Sequence, residues 1–322
     1  MENPVMLHHD SEIFKSAIKE TSDNLNIRDY FIEKDYWLSH VLRKLSESQY
    51  MDTVVFKGGT SLSKAYDLIK RFSEDVDIAI INNPEWSGNK VKMLIRNVEK
   101  TISTDLTEEK TPGVTSKGSR FRKSVFIYPS VFKDISLTAI SDKLIIEINS
   151  FANPYPFEKL AIQSMIGKFL QDHNQTHHVE KYQLQAFYLN VLDKRQTLLE
   201  KLASLIRFSF DNYPIQSIES KIRHFYDIFY LLDDPECEEY IESRKFKDDF
   251  TKLIEHDKEI FNDPIGWTQK AISKSPLITN TDKLWSSLKV KYNTEMPQIA
   301  YSPIPDETEA LKSFKTLLGN LK

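Results

Sequence analysis

The sequence predicts an α+β fold, in which a mixed sheet flanked by helices is followed by a mainly helical C-terminal region. In the first half of the chain, short runs rich in β-branched and aromatic residues alternate with helical stretches and end at glycine, asparagine or proline. From about residue 157 onward the strand patterns fade and helical spacing dominates. We therefore predict a core domain at 1–155 and a mainly helical domain at 156–322, each long enough to bury its own core.

The first predicted elements lead to a glycine turn. Residues 10–48 fit two helices, and the second has apolar residues at helical spacing. The run 53–57 (TVVFK) fits a strand that two glycines stop. A helix at 61–70 follows, for which Thr60 or Ser61 is the natural N-cap.

The later elements follow from the same signals. The run 75–81 (DVDIAII) alternates acidic and apolar residues, which indicates a strand whose first part faces a cleft. The core domain should continue with a helix at 88–105, a loop at 112–120, and two strands at 123–129 and 143–149. Helices of the C-terminal region are predicted at 157–171, 195–209, 216–232, 238–260 and 280–290. A Pro-containing linker at 297–305 precedes a last helix at 307–320, where Asp306 and Glu309 form a capping-box pattern.

Composition limits the class of protein. The 43 basic and 47 acidic side chains give a formal net charge of −4, so the overall charge does not indicate a nucleic-acid binder. A nucleic-acid surface would have to be a local cluster of cations. One candidate cluster is Lys117, Arg120, Arg122 and Lys123, which a solvated charge run explains equally well. The other candidate cluster is Lys64, Lys70 and Arg71. The single cysteine, Cys237, excludes an internal disulfide framework. No stretch approaches the roughly 18 apolar residues of a spanning helix, so we expect a cytoplasmic protein outside the membrane.

The glycine turn suits a phosphate group. Glycines at 58 and 59 let the backbone pass close to a bulky anion. The unpaired N–H groups of the following helical turn can then hold phosphate oxygens. Thr60 and Ser61 add hydroxyl donors. Alone, this turn is weak evidence, but its order and spacing with the following acidic strand favour a functional unit.

Three carboxylates suit a magnesium ion. Asp75 and Asp77 lie two apart on one predicted strand, so both project from the same face. Such a pair, completed by water and substrate phosphate, is the partial carboxylate set that Mg²⁺ prefers. Glu147 breaks the apolar run LIIEINSF and is the best candidate for a third carboxylate, either as metal ligand or as general base. The alternative for Glu147 is a strand residue that faces solvent.

The stretch FKGGTSLSKAYDLIKRFSEDVDIAI (56–80) resembles the signature of the AbiEii/AbiGii nucleotidyltransferase-like toxins, a branch of the DNA polymerase β-type nucleotidyltransferase superfamily. IEKDYWLSHVLRKL (32–45) is similar to that family's upstream helix, and the stretches 197–210 and 223–232 are similar to its downstream helices. The resemblance covers about 30 to 232 and implies the superfamily's mixed-sheet catalytic core at 1–155.

The resemblance also implies site residues. Asp75 and Asp77 would be catalytic residues and ligands of Mg²⁺ or Mn²⁺, and Glu147, the third carboxylate expected from its own strand, would join them. Gly59, Thr60 and Ser61 would cradle the triphosphate, and Lys201 would contact it, while Lys57 and Gly58 just before them are expected to belong to the same nucleotide-binding turn. Asp227 would complete the catalytic set from the helical region. Without the resemblance, Lys201 would be an exposed helix cation and Asp227 an ion pair with Arg223. The chain departs from the family at Arg223-His224, where members frequently carry Arg-Asp.

These features lead to one hypothesis and two alternatives. The leading hypothesis is a toxin that transfers a nucleotide from an NTP onto RNA, plausibly a tRNA end, and that a cognate antitoxin restrains. One alternative is an NTP-binding regulator with little or no turnover, against which the paired carboxylates argue. The other is a metal-dependent nuclease, in which the glycine turn would have no role. Fold analogy does not fix the acceptor.

Overall fold

The computed structural model describes residues 5–73, 75–132 and 142–321. The chain forms two compact units. The first unit comprises Met1–Ala65 and Ser73–Leu192, and the second comprises Tyr66–Phe72 and Asp193–Lys322. These units are defined by packing and do not test the predicted domains. The assignment of a catalytic core to 1–155 and of a mainly helical domain to 156–322 therefore stays a prediction.

The first unit is built on an eight-stranded mixed sheet. Its elements in chain order are α1 (Ser11–Leu25), α2 (Asp29–Ser46), β1 (Val54–Lys57), α3 (Gly58–Lys64), β2 (Asp75–Ile80), α4 (Gly88–Ile102), β3 (Thr107–Glu109), β4 (Ser116–Lys117), β5 (Phe121–Ile127), β6 (Lys143–Asn149), β7 (Phe157–Ile162), α5 (Met165–Asp172), α6 (Thr176–Lys181) and β8 (Phe187–Leu192). The strand order is β3-β5-β6-β2-β1-β8-β7, and β4 pairs with β5. β2 runs parallel to β6 and β1 runs parallel to β8, while the other pairs are antiparallel. The predicted mixed sheet flanked by helices is confirmed.

The centre of this sheet is apolar because its strands alternate as the sequence indicates. Val76 and Ile78 of β2 are fully buried, and Asp75 and Asp77, which alternate with them, are partly exposed on the other face. The two predicted helices before β1 are confirmed as α1 and α2. α2 buries Trp37 completely, so its apolar stripe contributes to the core of the unit.

Several predictions for this unit are wrong in detail. The helix after β1 begins at Gly58 with Lys57 as its N-cap, so neither Thr60 nor Ser61 caps it, and it ends at Lys64 instead of reaching residue 70. The predicted helix at 157–171 is strand β7 followed by α5. β7 is the last strand in the order and pairs with β8 along one side, so its residues are mostly exposed and no apolar alternation marks it. Strands β3, β4 and β8 were also missed.

The second unit consists mainly of helices in its described part. They are α7 (Lys194–Phe208), α8 (Pro214–Glu219), α9 (Arg223–Leu232), α10 (Pro235–Glu242), α11 (Arg244–Ile260), α12 (Pro276–Thr279), α13 (Thr281–Ile299) and α14 (Glu307–Gly319). The capping box of Asp306 and Glu309 at the start of α14 is confirmed. The predicted helices at 216–232 and 238–260 are each two helices, and Pro297 lies inside α13 instead of in a linker. Among the described residues, none of the helices combines the length and apolar character needed to cross a membrane.

Candidate active site

Four neighbouring strands place charged residues in one row across the sheet of the first unit. Lys57 on β1 is the register partner of Asp77 on β2, and Asp77 is the partner of Glu147 on β6. Glu147 is in turn the partner of Lys123 on β5. Register partners on adjacent strands share a face and lie side by side. Asp75 precedes Asp77 by two residues, so the structure brings all three predicted carboxylates to this face.

The row has an unusual charge balance. Burial raises the pKa of the Asp77 carboxyl well above its ordinary value, and the neighbouring Glu147 and Asp75 carboxylates raise it further. Lys57 and Lys123 oppose this shift. Lys123 Nζ lies 3.2 Å from a Glu147 carboxylate oxygen. Burial alone would lower the pKa of Lys123, but Glu147 and Asp75 raise it above its ordinary value. The row therefore concentrates more acid than its lysines neutralise.

This donor set fits a divalent cation. Carboxylate oxygens on adjacent strands are the hard ligands that Mg²⁺ and Mn²⁺ take in proteins. Burial, and after it repulsion from Glu147 and Asp75, raises the pKa of Asp77, and a doubly charged ion at the row would relieve that repulsion. Asp75, Asp77 and Glu147 are the residues that could hold it. Their role as ligands stays a prediction.

The glycine turn lies directly against the row. Gly58 has a φ of +81°, a conformation that L side chains rarely adopt. A Cβ atom at this position would lie 2.1 Å from the Asp77 carboxylate oxygen Oδ2. Glycine is therefore required at 58 both by the backbone conformation and by the space beside Asp77. Gly59 follows it in the first turn of α3.

The hydroxyl groups of the turn hold the turn itself. Thr60 and Ser61 are buried. The Thr60 hydroxyl donates to the Asp75 carbonyl oxygen, which ties α3 to the acidic strand. The Ser61 hydroxyl donates to the Gly58 carbonyl oxygen at 2.8 Å. Their predicted donation to a phosphate stays a prediction, and the structure shows them fixing the geometry of the turn.

Lys201 and Asp227 meet inside the second unit. Lys201 Nζ lies 2.7 Å from Asp227 Oδ2. The Arg71 guanidinium donates to both oxygens of the same carboxylate, at 2.6 Å each. Asp227 is completely buried; burial alone would raise the pKa of its carboxyl, but Arg71 and Lys201 hold that pKa well below its ordinary value. We call these three residues the buried triad.

The buried triad contradicts the alternative roles that the sequence offered for Lys201 and Asp227. Lys201 is buried, so it is not an exposed helix cation. The partner of Asp227 is not Arg223, whose Nε donates to Glu295 at 2.7 Å. Arg71 was missed as a partner because it lies 156 residues from Asp227 in the chain, and nothing near it in the sequence indicates the pairing.

Most members of the two candidate cation clusters pair with carboxylates. Lys117 pairs with Glu108, and Arg122 donates two hydrogen bonds to the buried carboxylate of Glu99. Lys123 belongs to the carboxylate row. The members of the second cluster pair with three different carboxylates, those of Asp35, Asp67 and Asp227. Arg120 is exposed. Carboxylates close to these side chains in space, most of them distant in sequence, account for these pairings.

A more compact group of possible metal ligands lies elsewhere in the first unit, since the ligand atoms of the three row carboxylates do not all come within 4.8 Å of one another. Among the described residues, ligand atoms of His8, His40 and Asp105 lie within 4.8 Å of one another. Burial, and after it the neighbouring His40, lowers the pKa of His8 to about 4. His40 Nε2 lies 2.6 Å from Asp105 Oδ2, and Lys44 Nζ lies 2.8 Å from the same oxygen. Because the Lys44 ammonium already supplies positive charge to this carboxylate, we interpret the group as an ion-pair network.

A mixed sheet with a row of carboxylates beside a glycine turn is the arrangement of a nucleotidyltransferase catalytic core. Residues 40–320 match the family described as nucleotidyl transferase AbiEii toxin, type IV toxin–antitoxin system, and the chain belongs to this family. The predicted family is thereby confirmed. No curated protein matches the chain. Among solved structures, the nucleotidyltransferase toxin MenT4 from Mycobacterium tuberculosis H37Rv is similar, with 16% sequence identity and a TM-score of 0.44 over 95% of this chain and 99% of that chain.

Proposed function

We propose that this toxin uses Mg²⁺, or Mn²⁺ in its place, to transfer a nucleotide from an NTP to an RNA acceptor, and that the acceptor is the end of a tRNA. The observation that carries the proposal is the row of Asp75, Asp77 and Glu147 in strand register beside Gly58. A site that only bound a nucleotide would not need three adjoining carboxylates. The family's place in type IV toxin–antitoxin systems implies a cognate antitoxin as partner.

In this proposal the row supplies the reaction's acid–base and metal-binding groups. Asp75 and Asp77 hold the divalent ion, and Glu147 either completes its ligand set or accepts the proton of the incoming hydroxyl. The ion, when bound, stabilises charge on the transferring phosphate and on the attacking and leaving oxygens. Lys123 holds Glu147 through their contact at 3.2 Å. In this proposal Lys123 therefore belongs to the site, whereas in the sequence it appears only as one member of a candidate cation cluster.

The nucleotide would be held by the turn and by a buried cation. Lys57, Gly58 and Gly59 bring the backbone close to the row, where the triphosphate of an NTP would bind. Lys201 keeps the triphosphate-contacting role that the family resemblance implies. Asp227 then acts by orienting Lys201, because its carboxylate is shared between Arg71 and Lys201 in the buried triad.

The test is transfer of a label into RNA. The protein is incubated with each NTP in turn, radiolabelled at the α-phosphate, with Mg²⁺ and total cellular RNA. We expect label on a discrete band of tRNA size with one NTP, and no label with chelator or with the Asp77→Asn variant. Label on a different RNA or on protein would identify that molecule as the acceptor and would rule out tRNA in this role. NTP binding without any transfer would favour the regulator.

A further inference from the structure

The helix that carries the glycine turn is short and is held at both ends. α3 has seven residues, fewer than two full turns. Its front is tied to β2 by the hydrogen bond from Thr60 to the Asp75 carbonyl oxygen. Its last residue, Lys64, extends to a buried carboxylate on another helix. A helix this short has little stability of its own, so its orientation depends on these attachments.

The rear attachment is a buried ion pair. Lys64 Nζ lies 2.5 Å from Asp35 Oδ1 of α2, and the two side chains are 8% and 2% exposed. The other Asp35 oxygen accepts a hydrogen bond from the Met165 backbone N–H at 2.7 Å. Lys64 also donates to the Gln163 carbonyl oxygen at 3.0 Å. The pair thereby joins α2, the end of α3 and the segment between β7 and α5.

Such a pair is poorly explained by stability alone. Burying two charges costs desolvation energy that their attraction only partly offsets, and apolar residues of similar volume often serve the fold equally well. What an ion pair supplies is a fixed contact, here at the last residue of α3, whose first residue is Gly58. At Gly58 no Cβ atom would fit beside Asp77. A small rotation of α3 would change that approach, and displacements of about 1 Å in such sites can lower turnover a hundredfold.

We propose that Asp35 and Lys64 are positioning residues, which fix α3 from behind and so hold the glycine turn at the distance from Asp77 that nucleotide binding requires. This inference rests on the proposed function. Neither residue is required to touch the substrate. Glu33, two residues earlier in α2, provides a matched comparison. It is equally buried, and among the described residues its hydrogen-bond donors are the Ser130 hydroxyl and the Val131 N–H, both at 2.7 Å and both outside α3.

The first arm compares Asp35→Asn with Glu33→Gln in the full chain. Each change removes one buried negative charge and keeps the size of the side chain. For Asp35→Asn we expect KM for the NTP to rise about tenfold or more, with hydrogen exchange accelerated in the segment 57–65. For Glu33→Gln we expect neither change. Equal effects of the two substitutions on KM and on exchange would overturn the proposal.

The second arm separates positioning from stability. Asp35→Asn leaves the Lys64 ammonium buried without its partner and can reduce folding, so the double variant Asp35→Asn/Lys64→Met removes both charges. We expect its thermal midpoint to recover toward wild type while KM stays raised. Recovery of KM together with the midpoint would mean that the pair has only a structural role. If the wild type transfers no nucleotide, the proposed function fails, and the exchange of 57–65 still decides whether Asp35 fixes α3.

Discussion

The carboxylate row of the first unit and the buried triad of the second shift the pKa of an aspartate in opposite directions. Asp77 is crowded by burial and by two other carboxylates, which raise its pKa. Asp227 is completely buried, but Arg71 and Lys201 outnumber it and lower its pKa. The first arrangement gains from an added cation, whereas the second is already neutralised. Burial alone therefore does not identify a functional acid, and the sign of the surrounding charge is what distinguishes the two.

The largest expected effect tests the row. Replacing Asp77 with Asn removes a proposed metal ligand without changing the size of the side chain, so nucleotide transfer should fall by about a thousandfold or more. The same change removes a charge that the fold disfavours, so the thermal midpoint without divalent ions should stay equal or rise. Activity and melting are measured together, with the exposed Asp52→Asn as the control. Near-normal turnover would contradict the assignment of the row.

The second-largest expected effect is a loss of stability in the buried triad, where Asp77→Asn is expected to cause none. Asp227→Asn leaves Arg71 and Lys201 as buried cations that have lost their carboxylate. Breaking a buried ion pair in this way typically costs about 3–5 kcal/mol of unfolding free energy. Urea unfolding at neutral pH measures this loss. An unchanged free energy of unfolding would mean that water or other groups already neutralise the two cations.

The contrast also explains what the sequence could predict. The row was predictable because strand periodicity places Asp75, Asp77 and Glu147 on one face once the strands are recognised. The triad was not, because its members come from three separated parts of the chain and no local spacing connects them. The contact of Lys123 with Glu147 could not be predicted for the same reason, since it depends on which strand lies beside β5. β7 was predicted as helix because an edge strand shows little apolar alternation.

Acid titration provides the third test, with an intermediate effect. The folded-state pKa of Asp227 lies below its ordinary value, so its ionised form stabilises the fold above about pH 4, the pKa of an unfolded aspartate. That stabilisation is lost as the pH falls from there through the folded-state pKa. The difference in unfolding free energy between wild type and Asp227→Asn should therefore be constant from pH 7 to about pH 5 and shrink toward pH 3. Buried His224, whose pKa burial and Lys201 lower, contributes in both proteins and largely cancels. A difference that does not depend on pH would show that Asp227 is not charged in the fold.

The smallest expected effect concerns the lysine at the end of the row. Lys123 lies 3.2 Å from Glu147 and supplies positive charge where the proposed metal would bind, so it competes with that ion for the carboxylate. Lys123→Met should tighten Mn²⁺ binding by about three- to tenfold, since removing one partly buried charge at this range is worth about 1 kcal/mol. Calorimetric titration without nucleotide measures the dissociation constant. Lys117→Met is the matched control, because Lys117 pairs with Glu108 on β3, outside the row, and should leave Mn²⁺ binding unchanged. Weaker binding in Lys123→Met would instead mean that this lysine orients Glu147 as a ligand and that the row needs its cation to receive the metal.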